Sequence, residues 1–458
     1  MPLSYKSAHS GSQPSNQTIA SFSTMSSNTS SAYPHTNHME DPAFKVLIVG
    51  AGIGGLMLGH CLERAGIDFV ILERMQRLHP AKSTIQLSSN TLHAIEQLGL
   101  LEEVMEIAKP ISTIILRKHN MSVTGKIDGL HVKNRYGYYS YIVHRAEFCQ
   151  ILMSRMRSDR IQWGCYVLET VSGDLGVQCR CASGYVVQGD ILVGADGAYS
   201  AVRQNLYRTL KEKSLLPKSD MESLKFSQNA MIGLTDPMDL TKYPDAGKEF
   251  GECHIVVGKE SPYTMWISPT SENRITWSVT GPLLSDGRSE QNFMVSQFGP
   301  EEVNKACSLI EALDNPFGGT MADLIAHTPK ENMVKILVEE KHYKTWHYGR
   351  TVLMGDGQGP EQALLDAICL ANLFHGLKSP YPLADIVEAF HTFHELRLPF
   401  TKAAVQSSGQ VANLVNGQGL GSDIKRKLVF NMPTWVQALS LDKIQTQNAL
   451  PVQFAKEA

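Results

Sequence analysis

Phe44-Lys45-Val46-Leu47-Ile48-Val49-Gly50-Ala51-Gly52-Ile53-Gly54-Gly55 is the stretch that decides the fold. Its first half is apolar apart from Lys45 and reads as a buried strand. Gly50 to Gly55 makes a turn. Leu56 to Ala65 then has helical spacing, with Gly66 in the position just past a helix end. Asp68-Phe69-Val70-Ile71-Leu72-Glu73 is a second buried strand. Strand, turn, helix and strand make a βαβ unit, whose parallel strands are joined by a right-handed crossover. The three glycines of the Gly-x-Gly-x-x-Gly pattern have separate physical tasks. Gly50 permits the tight turn, Gly52 lets the backbone approach a pyrophosphate, and Gly55 lets helix and strand pack closely. The free N–H groups at the start of the helix then favour phosphate. Glu73 ends the second strand, where a carboxylate accepts hydrogen bonds from ribose hydroxyls. The unit is read as a dinucleotide site.

The whole chain has 458 residues, 43% hydrophobic and 19% charged, with a formal net charge of −3. That allows a large core and offers no basic stripe, so nucleic acid is excluded as a partner and a small hydrophobic organic molecule is expected. No apolar run is long enough to span a bilayer. Residues 1–39 contain no Arg and no basic–apolar leader, which argues against targeting out of the cytoplasm. A cytoplasmic protein is expected, with room for peripheral association with a membrane. The eight cysteines lack metal-ligand spacing, and Cys179 and Cys181 share one face of a strand. Reduced thiols and no metal site are expected.

Residues 1–42 are rich in Ser, Thr, Asn and His and read as a disordered tail. The rest reads as α/β: a Rossmann-type dinucleotide-binding domain interleaved with a mixed-sheet substrate domain, then a helical C-terminal region. The dinucleotide-binding parts are placed at 43–117, 142–209 and 336–378. A substrate-side insertion occupies 118–141, the substrate domain 210–335 and the helical region 379–458. Strands are expected at 254–258, 263–267 and 274–279, and a helix from Pro360 to Leu377.

A dinucleotide unit can hold NAD or FAD, and two further motifs choose between them. Val193-Gly194-Ala195-Asp196-Gly197-Ala198-Tyr199-Ser200-Ala201-Val202-Arg203 closely resembles the Gly-Ala-Asp-Gly-x-x-Ser-x-Val-Arg signature of FAD-dependent hydroxylases. Gly349-Arg350-Thr351-Val352-Leu353-Met354-Gly355-Asp356 resembles the Gly-Asp element of the same proteins, in the same order and at the same wide spacing. The chain therefore resembles the class A flavoprotein monooxygenases, with the para-hydroxybenzoate hydroxylase-like fold, from Phe44 to about His375. Asn90, Gln97-Leu98-Gly99-Leu100 and Val143-His144-Arg145 point to a fungal branch that epoxidises or hydroxylates meroterpenoids and indole diterpenes. The resemblance implies FAD as the bound cofactor and NAD(P)H as a transient reductant. It implies cofactor contacts at Gly50, Gly52, Gly55, Glu73, Arg145, Asp196 and Asp356, with Gln86, Gly359 and Pro360 as further candidates. No catalytic residue is assigned.

The chain also departs from this pattern. Gly355-Asp356-Gly357-Gln358-Gly359-Pro360 lacks the connecting loop that the family places beside the flavin, and Pro360 removes one N–H donor from the helix that follows. Lys82-Ser83-Thr84-Ile85 stands where the family has Gly-Ala-Ser-Ile, and Gln228 stands where the fungal branch has a Tyr. These departures keep two alternatives to a monooxygenase open: a flavin oxidase or dehydrogenase of the same fold, and a flavoprotein impaired by the shortened loop.

Overall fold

The computed structural model describes residues 44–78, 83–222, 226–258, 262–282, 299–339, 343–355, 359–416, 424–425, 428–429 and 451–454. The expected tail at 1–42 lies outside them. Six strands form the first sheet: β1 (Lys45–Val49), β2 (Asp68–Glu73), β7 (Ile161–Trp163), β11 (Ile191–Gly194), β17 (His347–Tyr348) and β18 (Thr351–Leu353). Their order is β17-β18-β11-β1-β2-β7, with β1 parallel to both β2 and β11. A small sheet carries β8 (Val167–Ser172), β9 (Val177–Cys181) and β10 (Val186–Gly189). The large sheet holds β3 (Thr84–Leu87), β4 (Ala108–Lys118), β5 (Val123–Asp128), β6 (Ser140–His144), β12 (Phe226–Leu234), β13 (Gly251–Val257), β14 (Thr264–Pro269), β15 (Ile275–Pro282) and β16 (Met333–Glu339).

The helices in chain order are α1 (Ile53–Arg64), α2 (Ser89–Gln97), α3 (Leu101–Glu106), α4 (Gly129–Tyr136), α5 (Arg145–Ser154) and α6 (Ala201–Glu212). They continue as α7 (Lys218–Met221), α8 (Pro300–Ser308), α9 (Met321–Ala326), α10 (Pro360–Gly376) and α11 (Leu383–Asn416). No helix of the described residues is long and apolar enough to cross a membrane.

The buried β1 strand works on both faces. Val46 and Ile48 enter one core with Leu56, Met57 and Leu58 of α1 and Leu364 and Ile368 of α10. Leu47 and Val49 enter a second core with Val167, Val177 and Cys179 of the small sheet and Val202 and Leu206 of α6. A strand covered on both faces reads as a continuous apolar run, which is why 44–49 shows no alternation. The large sheet instead alternates. In β15, Ile275, Trp277 and Val279 are buried while Thr276, Ser278 and Thr280 are half-buried. The apolar set packs on Val303 and Cys307 of α8 and Met321 and Leu324 of α9. Trp277 is wholly buried and its indole N–H donates to Thr328 Oγ1 at 3.0 Å.

β3, β4 and β6 hydrogen-bond into the large sheet, although most of their residues fall in the stretches 43–117 and 142–209 read as dinucleotide-binding. Their partners lie far off in sequence: β4 pairs in parallel with β13, His254 opposite Ile115. Local patterning marks a strand but not the sheet that receives it. The cysteines are not all reduced: Cys165 and Cys181 form a disulfide, with Cα atoms 5.6 Å apart. Pairing of β8 with β9 sets Cys181 opposite Val167, next to Cys165, a proximity that spacing along the chain does not reveal. Cys179 and Cys181 do share the buried face of β9, with Arg180 exposed between them.

Candidate FAD-binding cleft

A cleft of about 760 Å³ opens along the C-terminal ends of β1 and β2 and reaches the large sheet. Gly50, Ala51 and Gly52 form its floor, and Glu73, Arg74 and Arg77 line one end with Trp163 and Tyr166. Arg145, Asp196 and Gly197 border the middle. Ile232 of β12, Asn332 from the turn before β16, and Val334 and Ile336 of β16 line the far side.

The floor follows from local sterics. Gly50 has φ +106°, and a Cβ there would stand 2.6 Å from the Ala195 carbonyl oxygen. Its N–H donates to Leu72 O at 2.9 Å, which ties the turn to β2. A Cβ on Gly55 would stand 2.0 Å from the Gly50 carbonyl oxygen, so this glycine lies under the turn and lets α1 approach it. Around Gly52, the N-cap of α1, the space is open as far as Arg145 Nη2, 4.0 Å from the position of a built Cβ. The first N–H groups of any helix lack intrahelical acceptors, and here they stand at an open floor.

Two carboxylates face that floor. Glu73 accepts from the N–H of Ala51 at 2.7 Å and from that of Met75 at 2.9 Å, which locks the acid to the glycine turn. Asp196 Oδ2 accepts from the N–H of Ala201 at 2.6 Å and of Val202 at 3.3 Å, at the start of α6. Burial pushes the Asp196 carboxyl above the ordinary carboxylate range, opposed by the hydrogen bonds from Ser200, Val202 and Ala201. Its Oδ1 is buried without a hydrogen-bond partner. Arg145 opens α5, and its N–H donates to Ser83 O at 2.8 Å. Cys149, one turn along α5, also lines the cleft, and burial pushes its thiol up to about 11, which keeps it protonated and inert.

The cleft thus brings Gly50, Gly52, Glu73, Arg145 and Asp196 together, with Gly55 beneath it. It does not take in Gln86, which is exposed on β3 opposite Ile142. Gly359 and Pro360 are exposed at the start of α10 and do not line it. Asp356 lies outside the described residues. Sequence reasoning missed Trp163, Tyr166, Asn332, Val334 and Ile336. Trp163 had a usable signal, since it closes a short Ile-Gln-Trp strand, and β7 pairs beside β2 with Trp163 opposite Glu73. The wall at 332–336 had none, because only the pairing of β12 with β16 brings it there.

Comparison with known proteins identifies the family. The FAD binding domain model matches residues 43–358. The chain belongs to this family of FAD-dependent oxidoreductases, whose members similar to it are monooxygenases. It is 28% identical over 396 residues to the FAD-dependent monooxygenase penE of Penicillium thymicola, covering 82% of this chain and 80% of that protein. It is also 28% identical to the FAD-dependent monooxygenase paxM of Penicillium paxilli, over 81% of this chain and 78% of that one. Among solved structures, Klebsiella pneumoniae HpxO complexed with FAD and uric acid superimposes with a TM-score of 0.68 at 18% identity. It covers 90% of this chain and 98% of its own. The 2,6-dihydroxypyridine-3-hydroxylase of Arthrobacter nicotinovorans gives 0.66 at 16% identity, over 83% of this chain and 95% of its own. These two likenesses concern the fold. The residues present fit FAD: an open glycine floor, an acid at the end of β2, and a buried carboxylate oxygen at Asp196 still without a partner.

Proposed function

We propose that the chain is an NAD(P)H-dependent monooxygenase that epoxidises or hydroxylates a small hydrophobic secondary metabolite of terpenoid or meroterpenoid type. The observation that carries this reading is the continuity of the cleft. Its glycine floor and carboxylates run without a break into an apolar wall of Ile232, Val334 and Ile336. One end suits a charged dinucleotide, and the other suits a greasy molecule. Bound FAD would supply the redox and oxygen chemistry, with NAD(P)H giving two electrons, one oxygen atom entering the substrate and the other leaving as water.

The chain's own residues bind, orient and exclude water. Glu73 would accept from the ribose hydroxyls while still holding the Ala51 N–H. Arg145, on the border of the cleft, would meet the cofactor's phosphates or ring edge. Asp196 would offer Oδ1 from its buried position, and Asp356 would accept from the ribityl or ribose hydroxyls. The apolar wall would keep water from the reacting carbon. Replacing Glu73 by Ala is expected to raise the FAD dissociation constant about ten- to hundredfold, since a hydrogen bond to a charged group contributes ~1.5–3 kcal/mol. Titration of apoprotein followed by flavin fluorescence measures this, and an unchanged constant would remove Glu73 from the site.

The decisive test is the visible spectrum of purified, FAD-supplied protein before and after anaerobic NADPH, followed by turnover under ¹⁸O₂. Flavin bands that bleach, and one labelled atom in the product, are the expected results. Product without label would instead mean an oxidase or dehydrogenase. Bound flavin that NADPH cannot bleach would favour a flavoprotein impaired by the short 355–360 segment.

A further inference from the structure

We propose that Arg397, on α11, is a positioning residue for the FAD site, acting through Asp366 to fix the Gly355 backbone and the first turns of α10. The inference rests on the proposed reading of the glycine-floored cleft as the FAD site. Arg397 is 1% exposed and its Nε donates to Asp366 Oδ1 at 2.7 Å, while Nη2 donates to Gln362 Oε1 at 2.7 Å. Gln362 and Asp366 lie four residues apart on one face of α10. The second carboxylate oxygen, Asp366 Oδ2, accepts from the Gly355 N–H at 3.0 Å. Gly355 has φ +66°, and a Cβ there would stand 2.8 Å from Ala363 Cβ. The same Ala363 Cβ stands 3.1 Å from a Cβ built on Gly54, at the start of α1. One guanidinium therefore sets the turn of helix that presses on both the glycine-rich loop and the end of β18.

A plain interhelical ion pair would not need this arrangement. The carboxylate is shared with a backbone N–H, and Arg397 keeps a buried Nη1 without a partner. An apolar residue would join two helices without that cost. Lysine presents a single ammonium and cannot address two acceptors with the planar fork that arginine offers.

Full-length Arg397→Met, Arg397→Lys and Asp366→Asn variants test this beside Trp277→Phe, which loosens the large-sheet core on separate elements. The readouts are the FAD dissociation constant, the position of the bound-flavin bands, and amide hydrogen exchange of the 351–359 peptide in the apoprotein. Arg397→Met and Asp366→Asn are each expected to weaken FAD binding at least tenfold, shift the bands and raise exchange at 351–359. Their combination should be no worse than either alone, Arg397→Lys should fall between, and Trp277→Phe should change none of the three. FAD binding within twofold of the parent in Arg397→Met, with unchanged exchange, overturns the proposal. So does Trp277→Phe weakening FAD equally for an equal loss of melting temperature. If the parent chain itself takes up no FAD, the flavin reading fails separately. The exchange experiment then decides alone: raised exchange sustains the positioning role and unchanged exchange removes it. Should Arg397→Met fail to fold, Arg397→Lys and Asp366→Asn carry the same comparison.

Discussion

Gly55→Ala is expected to give protein that no longer retains FAD and melts well below the parent. The added Cβ would stand 2.0 Å from the Gly50 carbonyl oxygen and 3.4 Å from Ala195 Cβ. The first of these is backbone, so no side chain can turn aside. Gly50 cannot retreat either, because its N–H is bonded to Leu72 O and its own Cβ position is closed by Ala195 O. The strain must be met by moving α1 away from β1. That movement opens the core shared by Val46, Ile48, Leu56 and Met57 and carries the helix N-terminus off the cleft floor. Overpacking that forces backbone to shift costs about 1–3 kcal/mol, at times more. A matched change at Gly376→Ala, where a Cβ meets nothing within 4 Å, is expected to stay within about 0.5 kcal/mol and to leave FAD binding intact. Thermal melting and FAD titration of the two variants measure the contrast. Parent-like affinity in Gly55→Ala would mean that the helix start is not the phosphate site.

Acidification from pH 7.5 to 5 is expected to remove a large share of the folding stability through two buried histidines. Burial, aided by Arg64, pushes His60 down from 6.5 to about 4. Burial, aided by Arg117, does the same to His254, whose Nδ1 accepts from Arg117 Nε at 3.2 Å. Both rings are therefore neutral in the folded protein across a range where the unfolded chain binds a proton. Stability is fully present above pH 6.5, falls as the pH drops below it, and stops falling below about 4. Each unit is worth about 1.4 kcal/mol per group, so at pH 5 each histidine has removed about 2 kcal/mol. Total stabilities are only about 5–15 kcal/mol, so the loss is easily measured. Urea unfolding at the two pH values gives the slope. Burial likewise pushes the half-buried His347 down to about 4, so replacing His60 by Leu should flatten the slope by about a third, and an unaltered slope in that variant would clear His60 of the effect.

Much of the candidate site was legible because its central chemistry is local. Gly50, Gly52, Gly55 and Glu73 sit within one βαβ unit, where strand burial, turn and helix start fix each position within a few residues. Arg145 and Asp196 were reached through motifs, and both come to the same cleft because β6 and β11 end beside it. Gln86 shows the limit of that route. It lies on β3, where pairing with Ile142 leaves its side chain exposed rather than in the cleft.

What the sequence determined by itself was the class of the chain and the dinucleotide end of its cleft, since those rest on contacts between near neighbours and on backbone that only glycine allows. The tertiary structure alone decided the rest. Pairing of β12 with β16 delivers the apolar wall, pairing of β8 with β9 joins Cys165 to Cys181, and β3, β4 and β6 pass into the large sheet. Arg397 reaches Gly355 through Asp366 across two helices. Each of these depends on which distant partner a strand or helix meets. That choice is made by the summed packing of the whole core and leaves no mark in the spacing of residues along the chain.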